Sequence, residues 1–343
     1  MARPSCAPLC GRALATRQPS TLSAARAVRS PRVPVANLGY IQLLRQCNQR
    51  CLFCSNPDNE RLLELSAAKE QVDDLTLRGY DGVILTGGEP TLSPIVAEVT
   101  RYAVSRGLHV RLISNGSRLG EPGEVAALVA AGLRHFHLSI HSLRPAVQDF
   151  LTGTSGSHSR LLRALECLGE SGAVVDINTV INRYNAHHLD ETVALLLERF
   201  GFVRHVVWNN LDPSMGRVAE RRDTIPMLRD FEVSLHRAMR MLDASHRTFR
   251  VERVPLCYMT AYAHCSTETR KIVKGEERLV NFLDTKGVVR QTDFRHGKFE
   301  SCRICAVEPI CAGLFDAGNG YDPAELFPVF VDRQAIVARV HAP

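Results

Sequence analysis

Apolar positions in this chain recur in two rhythms that take turns along it. Short runs rich in Val, Ile and Leu, such as Gly82-Val83-Ile84-Leu85-Thr86, have strand character, and the stretches between them carry a helical period. The pattern predicts strands at 39–45, 82–86, 108–113, 134–140, 173–180 and 203–209, with helices near 66–79, 94–106, 122–131, 159–171 and 187–200. Repeated strand–helix alternation predicts an α/β fold with parallel strands and helices packed outside them. Beyond it, Asp212-Pro213-Ser214-Met215-Gly216 is a loop signal. A helix around 226–243 follows, whose Met227, Leu228, Leu235, Met239 and Leu242 stripe reads as core. Asp284-Thr285-Lys286-Gly287 between apolar runs predicts a hairpin within 284–300.

Candidate chemistry begins at Cys47-Asn48-Gln49-Arg50-Cys51-Leu52-Phe53-Cys54, where C-x3-C-x2-C brings three thiolates to one loop. A cubane of four irons normally takes a thiolate on each iron, so three leave one iron open to a small molecule. A zinc knuckle and reduced structural thiols are the other readings. Structural zinc takes four closed ligands, often with histidine, and no His lies in this segment.

Downstream, the strand ending at Thr86 runs into Gly87-Gly88-Glu89-Pro90, whose glycines let backbone approach a ligand closely. Alone this is an ordinary turn signal. With the cysteine loop, it resembles the radical SAM superfamily, in which C-x3-C-x-aromatic-C binds a 4Fe-4S cluster and a Gly-Gly-Glu segment holds the amino group of S-adenosylmethionine; Phe53 stands at the aromatic position. The resemblance implies an open, partial (β/α)6 TIM-type barrel. It also implies S-adenosylmethionine chelating the fourth iron and being cleaved reductively to a 5'-deoxyadenosyl radical that abstracts hydrogen from substrate. On this reading Glu89→Ala weakens S-adenosylmethionine binding more than cluster assembly.

In barrels of this type functional groups sit at the carboxyl ends of strands. Ser114-Asn115-Gly116 is similar to the family's Thr-Asn-Gly segment, and as a local pattern it is also a simple turn signal. Ser139 falls where family members often contact S-adenosylmethionine, flanked by His137 and His141, which read equally well as surface histidines. In Val174–Asn182, Asp176 and Asn178 should face opposite to Val175 and Ile177, with one face lining the barrel. Asn178 is taken as a cofactor contact; a hydrogen-bonded core asparagine is the alternative. The Leu151–Ser157 segment reads as a glycine and serine loop entering a helix with Ser157 as N-cap, and Arg160 and Arg163 beyond it as carboxylate contacts or solvated charge.

Near the end, Cys302-Arg303-Ile304-Cys305 and Cys311 give C-x2-C-x5-C, with Cys257 and Cys265 upstream. This resembles the SPASM and twitch extensions of radical SAM enzymes. A SPASM pattern continues with a cysteine four residues on, and that position is Phe315, so the count allows one auxiliary 4Fe-4S cluster, held by Cys257, Cys302, Cys305 and Cys311, with Cys265 a substitute fourth ligand or a spare. Zinc on the same four cysteines is one alternative, and a disulfide framework, which belongs to oxidising compartments, is the other.

Charge changes the picture by exclusion. The chain has 42 Lys and Arg against 36 Asp and Glu, net +6. Six arginines, Arg3, Arg12, Arg17, Arg26, Arg29 and Arg32, lie before residue 36 with no acid among them, so the remainder is balanced. The basic excess belongs to a tail rather than a groove and indicates no nucleic acid. The tail has the composition of a transit peptide, and the preferred alternative is a disordered start in an arginine-rich bacterial protein. No run is long enough to span a bilayer, and a cytoplasmic location follows from the reducing conditions a cluster needs.

The sequence thus predicts a tail at 1–35, a radical SAM core at 36–245 and an auxiliary cluster domain at 246–333. The expected function is radical modification of a peptide or protein, with a flavodoxin or ferredoxin as electron donor. A small-molecule biosynthetic enzyme and a non-catalytic metal-binding scaffold are the alternatives.

Overall fold

The computed structural model describes residues 38–56, 59–214, 216–275, 278–281, 283, 288–291, 296–315 and 319–342. The tail at 1–35 and the turn Asp284–Gly287 lie outside them. The expected alternation is present: β1 Leu38–Leu44, α1 Leu65–Leu77, β2 Gly82–Gly87, α2 Val96–Ser105, β3 His109–Ser114, α3 Glu124–Ala130, β4 His135–Ser139, α4 Pro145–Thr152, α5 Ser157–Ser171, β5 Val174–Ile181, α6 Leu189–Arg199 and β6 Val203–Asn210. There follow α7 Gly216–Glu220, α8 Leu228–Ala244, β7 Thr248–Glu252, α9 Thr267–Lys274, β8 Arg278–Asn281, β9 Val288–Gln291, β10 His296–Gly297, β11 Leu314–Phe315 and α10 Arg333–His341.

One sheet in the order β7-β6-β5-β4-β3-β2-β1-β8-β9 curls into an open half-barrel. Every neighbouring pair is parallel except β8 with β9. The six strands read from the sequence form its middle, and β7 and β8 add a parallel strand at either side. The predicted hairpin exists as β8 and β9, starting earlier than the expected 284–300. Residues beyond 245 extend the same sheet through β7, within one compact unit.

Strand alternation divides the two faces. Ile41, Leu43, Val83, Leu85, Val110, Leu112, Phe136, Leu138, Val175, Ile177, Val206 and Trp208 are buried beneath the helices. Each such side chain contributes roughly 1.5–3 kcal/mol by leaving water. The helices answer with matching stripes, Leu161, Ala164, Leu165 and Leu168 on α5 among them. On α8, Leu228, Leu235, Met239 and Leu242 are core as expected, whereas Met227 is half exposed because it precedes the first helical turn. The other face of the strands mixes polar residues such as Arg111, His137, Asn178 and Asn209 with Ile84, Ile113 and Val207, and lines a cavity. Among the described residues no helix is long and apolar enough to cross a membrane.

Candidate functional site

The loop carrying Cys47, Cys51 and Cys54 leaves the carboxyl end of β1 and is fastened from several sides. The Arg50 and Leu52 amides donate to the carbonyls of Thr152 and Leu151 at the end of α4, at 2.9 and 3.0 Å. The Cys54 carbonyl accepts from the Arg217 amide at 3.1 Å, and the Cys51 carbonyl from the Arg217 guanidinium at 3.2 Å. Phe53 is buried, edge-on to His141 with ring centroids 4.6 Å apart, in an apolar cluster with Leu151, Leu211 and Val218.

The donor set suits a thiolate-ligated centre. All nine described cysteines are free. The amides of Gln49 and Asn56 donate to the sulfurs of Cys47 and Cys54, each at 3.4 Å. Burial pushes the Cys51 thiol strongly up, reinforced by the charges of Cys54 and Cys47, and burial likewise raises Cys47. Three thiolates drawn together at the end of a strand, with Cys51 and Cys54 partly out of water, are costly alone, and a bound cation reverses that, since coordinating thiols are held deprotonated. The residues present therefore fit a cluster.

Gly87, Gly88 and Glu89 lie against the start of this loop. The Gly88 amide donates to the Leu44 carbonyl at 2.8 Å and the Glu89 amide to the Gln46 carbonyl at 2.9 Å. A Cβ on Gly88 would run into the carbonyl oxygens of Arg45 and Gln46. Gly88→Ala is therefore expected to displace the cysteine loop and lower reconstituted iron by more than half, with the β1–β2 core intact by circular dichroism; full iron content would show that the loop tolerates the shift.

Glu89 is fully buried. One carboxylate oxygen accepts from the Thr91 amide, the Thr91 hydroxyl and the Ser114 hydroxyl at 3.1, 2.7 and 2.8 Å, and the other from the Asn115 amide at 2.7 Å. Burial raises its pKa, and these donors pull against that rise. The Asn115 side-chain amide donates to Asn48 at 2.8 Å and lies 3.8 Å from the Cys47 sulfur. The Ser114-Asn115-Gly116 turn thus clamps the cysteine loop to Glu89.

Residues 41–196, which contain the three cysteines, Gly87-Gly88-Glu89 and Ser114-Asn115-Gly116, match the family model for the radical SAM superfamily. This segment of the chain is a radical SAM domain. Over 169 residues it is 31% identical to a PqqA peptide cyclase of Ruegeria pomeroyi, covering 48% of this chain and 44% of that one. Over 199 residues it is 31% identical to an AdoMet-dependent heme synthase of Methanosarcina barkeri, covering 57% and 55%. The chain therefore spans about half the length of these curated relatives. Streptococcus suis SuiB bound to S-adenosylmethionine shares the fold at a TM-score of 0.60 and 16% identity, over 84% of this chain and 76% of that one.

The remaining positions expected of a radical SAM protein are distributed as follows. Asn178 lines the barrel cavity and accepts a hydrogen bond from the Asn209 side chain; Val175 and Ile177 point the other way. Ser139 ends β4 opposite Asn178. His137 and His141 are buried rather than superficial, and burial drives each down to about 3, so both are neutral. Residues expected as a flexible loop before α5 are partly α4, and the capping expected of Ser157 is done by Asp149. Its carboxylate takes the amides of Gly156 and His158 at 2.6 and 2.9 Å and the Ser157 hydroxyl at 2.9 Å. Arg160 donates to the Ser155 carbonyl, and Arg163 is exposed.

Cys257, Cys302, Cys305 and Cys311 line one small cavity, with Pro255 and Phe327. Burial lifts the Cys257 thiol to about 12, helped by Cys311 and Cys302, and the Val329 amide donates to the Cys305 sulfur at 3.4 Å. Cys265 is elsewhere, buried beside His264 at 3.4 Å. Phe315 is buried in β11 beneath the Arg253 guanidinium.

Sequence reasoning missed a layer inside the barrel. His135 and Asp176 form a 2.6 Å hydrogen bond, His137 stacks on His135 at 4.8 Å between centroids, and His205 pairs opposite Asp176 across β5 and β6. Burial works to raise the Asp176 carboxyl, and the His135 hydrogen bond overcomes it and holds it low. The sequence signal was the polar alternation of His135, His137 and Ser139 in β4 and of Asp176 and Asn178 in β5, with His205 alone between Val203 and Val207 at that spacing in β6; which strands are neighbours, and in what register, is set by the sheet.

Proposed function

We propose that this chain is a radical SAM enzyme that modifies a peptide. The observation that carries the reading is the mutual fastening of Cys47, Cys51 and Cys54, Gly87-Gly88-Glu89 and Ser114-Asn115 at one end of an open half-barrel. Cys47, Cys51 and Cys54 would hold a 4Fe-4S cluster with one iron left to S-adenosylmethionine, and together these supply the electron and the hydrogen-abstracting radical. The backbone of Gly87 and Gly88 would meet the amino group, Phe53 would seat the cysteine loop, and Asn115, Ser139 and Asn178 would orient the nucleoside. The cavity walls would shield the reacting carbon from water. A flavodoxin or ferredoxin would deliver the electron, in a reducing cytoplasm.

Peptide modification is favoured because a PqqA peptide cyclase is among the relatives, and a SuiB structure of the same fold, at a TM-score of 0.56, was solved with precursor peptide SuiA. A second reading, a small-molecule enzyme, is favoured by the heme synthase, which matches more of this chain. Incubation of anaerobically reconstituted protein with S-adenosylmethionine, dithionite and peptides encoded beside its gene tests the proposal: 5'-deoxyadenosine together with a peptide changed in mass supports it. Intact clusters without 5'-deoxyadenosine would leave a binding scaffold.

The C-terminal cysteines would hold one auxiliary 4Fe-4S cluster. Cys305→Ala is then expected to remove about four irons per chain while the cluster of the Cys47 loop remains. Unchanged iron with loss of one zinc would establish the structural metal instead.

A further inference from the structure

The sequence beyond residue 36 is balanced in charge, yet the cavity inside the barrel is not. About 550 Å³ in volume, it is lined by Arg111, Arg250, Arg253, Arg270 and Lys271 against a single lining carboxylate, Glu252. A concave, low-dielectric wall of one sign focuses its field on whatever enters.

The strand registers order this cavity in rungs. Ser139, Asn178, Val207 and Arg250 share one; His137, Asp176 and His205 lie on the next towards the amino ends; Arg111 and His135 share the one below that. Each rung is two residues, about 6.6 Å along a strand. The upper rung holds the residues read as nucleoside contacts, so a substrate carbon beside them would extend its substituents onto the two rungs beneath.

Two groups on those rungs leave hydrogen-bonding capacity unused among the described residues, although His137 stacks on His135 and its Nε2 stands 3.7 Å from the Asp176 carboxylate, beyond hydrogen-bond distance. The Arg111 guanidinium, half-buried on β3, makes no hydrogen bond or ion pair to a described residue. His137 is 9% exposed, and its buried Nε2 has no hydrogen-bond partner. Desolvated charge and unsatisfied polar atoms are costly unless a ligand completes them.

A cation is the wrong completion. One ligand atom from each of His135, His137 and Asp176 lies within 4.8 Å of the others, a spacing a divalent metal could use. Arg111 stands directly beside His135 in the sheet register, however, and Arg250 lines the same cavity. The short His135–Asp176 hydrogen bond already occupies two of the three donors. A negative group meets the opposite situation: Arg111 offers a planar fork matched to a carboxylate, and His137 can add a hydrogen bond.

We propose that the floor of the barrel cavity binds a carboxylate of the substrate, with Arg111 as its charge partner and His137 as a hydrogen-bond donor. This rests on the reading of the chain as a radical SAM enzyme and adds to it the chemical class of the group presented beneath the cofactor. The carboxylate could be the side chain of an Asp or Glu in a peptide, or belong to a free organic acid.

The test is calorimetric titration of anaerobic, reconstituted holoprotein with S-adenosylmethionine bound. The probes are acetyl-Ala-Ala-Glu-Ala-Ala-amide, its Gln counterpart and glutarate. The Glu peptide is expected to bind about tenfold or more tightly than the Gln peptide, the discrimination one charge-assisted bidentate contact supplies. Arg111→Gln should erase that preference, and Arg111→Lys should restore part of it, which a merely structural role for Arg111 would not do. Glutarate binding with the Glu peptide silent supports the carboxylate site and assigns it to a free acid. Equal binding of the Glu and Gln peptides, silence from both carboxylate probes, or an undiminished preference in Arg111→Gln overturns the proposal. Because binding is read without turnover, absence of 5'-deoxyadenosine would count against the enzymatic reading and leave the carboxylate site standing.

Discussion

Cys51→Ala is expected to reduce S-adenosylmethionine cleavage to the background of protein-free reagents and to remove about four irons per chain, leaving the iron or zinc of the C-terminal cysteines in place. Two thiolates cannot hold a cubane that already does with three, and no spare is at hand among the described residues. Of the six described cysteines outside this loop, four line a different cavity, and Cys265 and Cys167 lie on α9's approach and on α5. The fold should be nearly indifferent. The loop is held by backbone hydrogen bonds to Thr152, Leu151 and Arg217 and by the packing of Phe53, none of which uses the Cys51 sulfur. Thermal unfolding of the iron-free proteins should therefore shift by less than about 1 kcal/mol in stability, which separates loss of the centre from loss of the fold. Iron, sulfide and 5'-deoxyadenosine are the measurements, and retained 5'-deoxyadenosine in the variant would sink the assignment of the loop.

The strands of the barrel were legible because each has one face under helices. Val175 and Ile177 beside Asp176 and Asn178 announce both a strand and its two environments, and β5 lies at 174–181 against an expected 173–180. The auxiliary cysteines were legible as a set, though only the fold separates Cys257 from Cys265 by bringing one to the shared cavity and turning the other toward His264. Elements that borrow their stability from neighbours were harder to read. β7 is five residues, Thr-Phe-Arg-Val-Glu, two of whose polar side chains face the cavity; it exists as a strand because β6 offers an edge. α4 is eight residues entered through Pro145, and its most consequential contacts are made by its last two residues to the cysteine loop. The basic character of the cavity was invisible in composition, because Arg111, Arg250 and Lys271 come from segments distant in sequence and are balanced elsewhere by surface acids.

Glu89→Gln is expected to cost about 1–3 kcal/mol of stability, the range for leaving buried polar groups mispaired, and to lower iron incorporation and S-adenosylmethionine affinity together. From the sequence, the effect was expected mainly on S-adenosylmethionine, as if the carboxylate itself met the ligand. In the structure that carboxylate has no exposed surface and four protein donors, so it acts on the cofactor through what it positions. Glutamine can keep one oxygen in place for Thr91 and Ser114, but its amide then confronts the Asn115 N–H with another donor. Asn115 must move, and its side chain is the link to Asn48 and the Cys47 sulfur. Disorder would pass from the Gly-Gly-Glu turn into the cysteine loop. Melting temperature, iron content and S-adenosylmethionine binding, measured on the same preparation, decide the matter: a joint fall identifies Glu89 as a positioning residue. A fall in S-adenosylmethionine binding with iron and melting temperature unchanged would mean that the carboxylate turns out of its buried setting to meet the ligand directly.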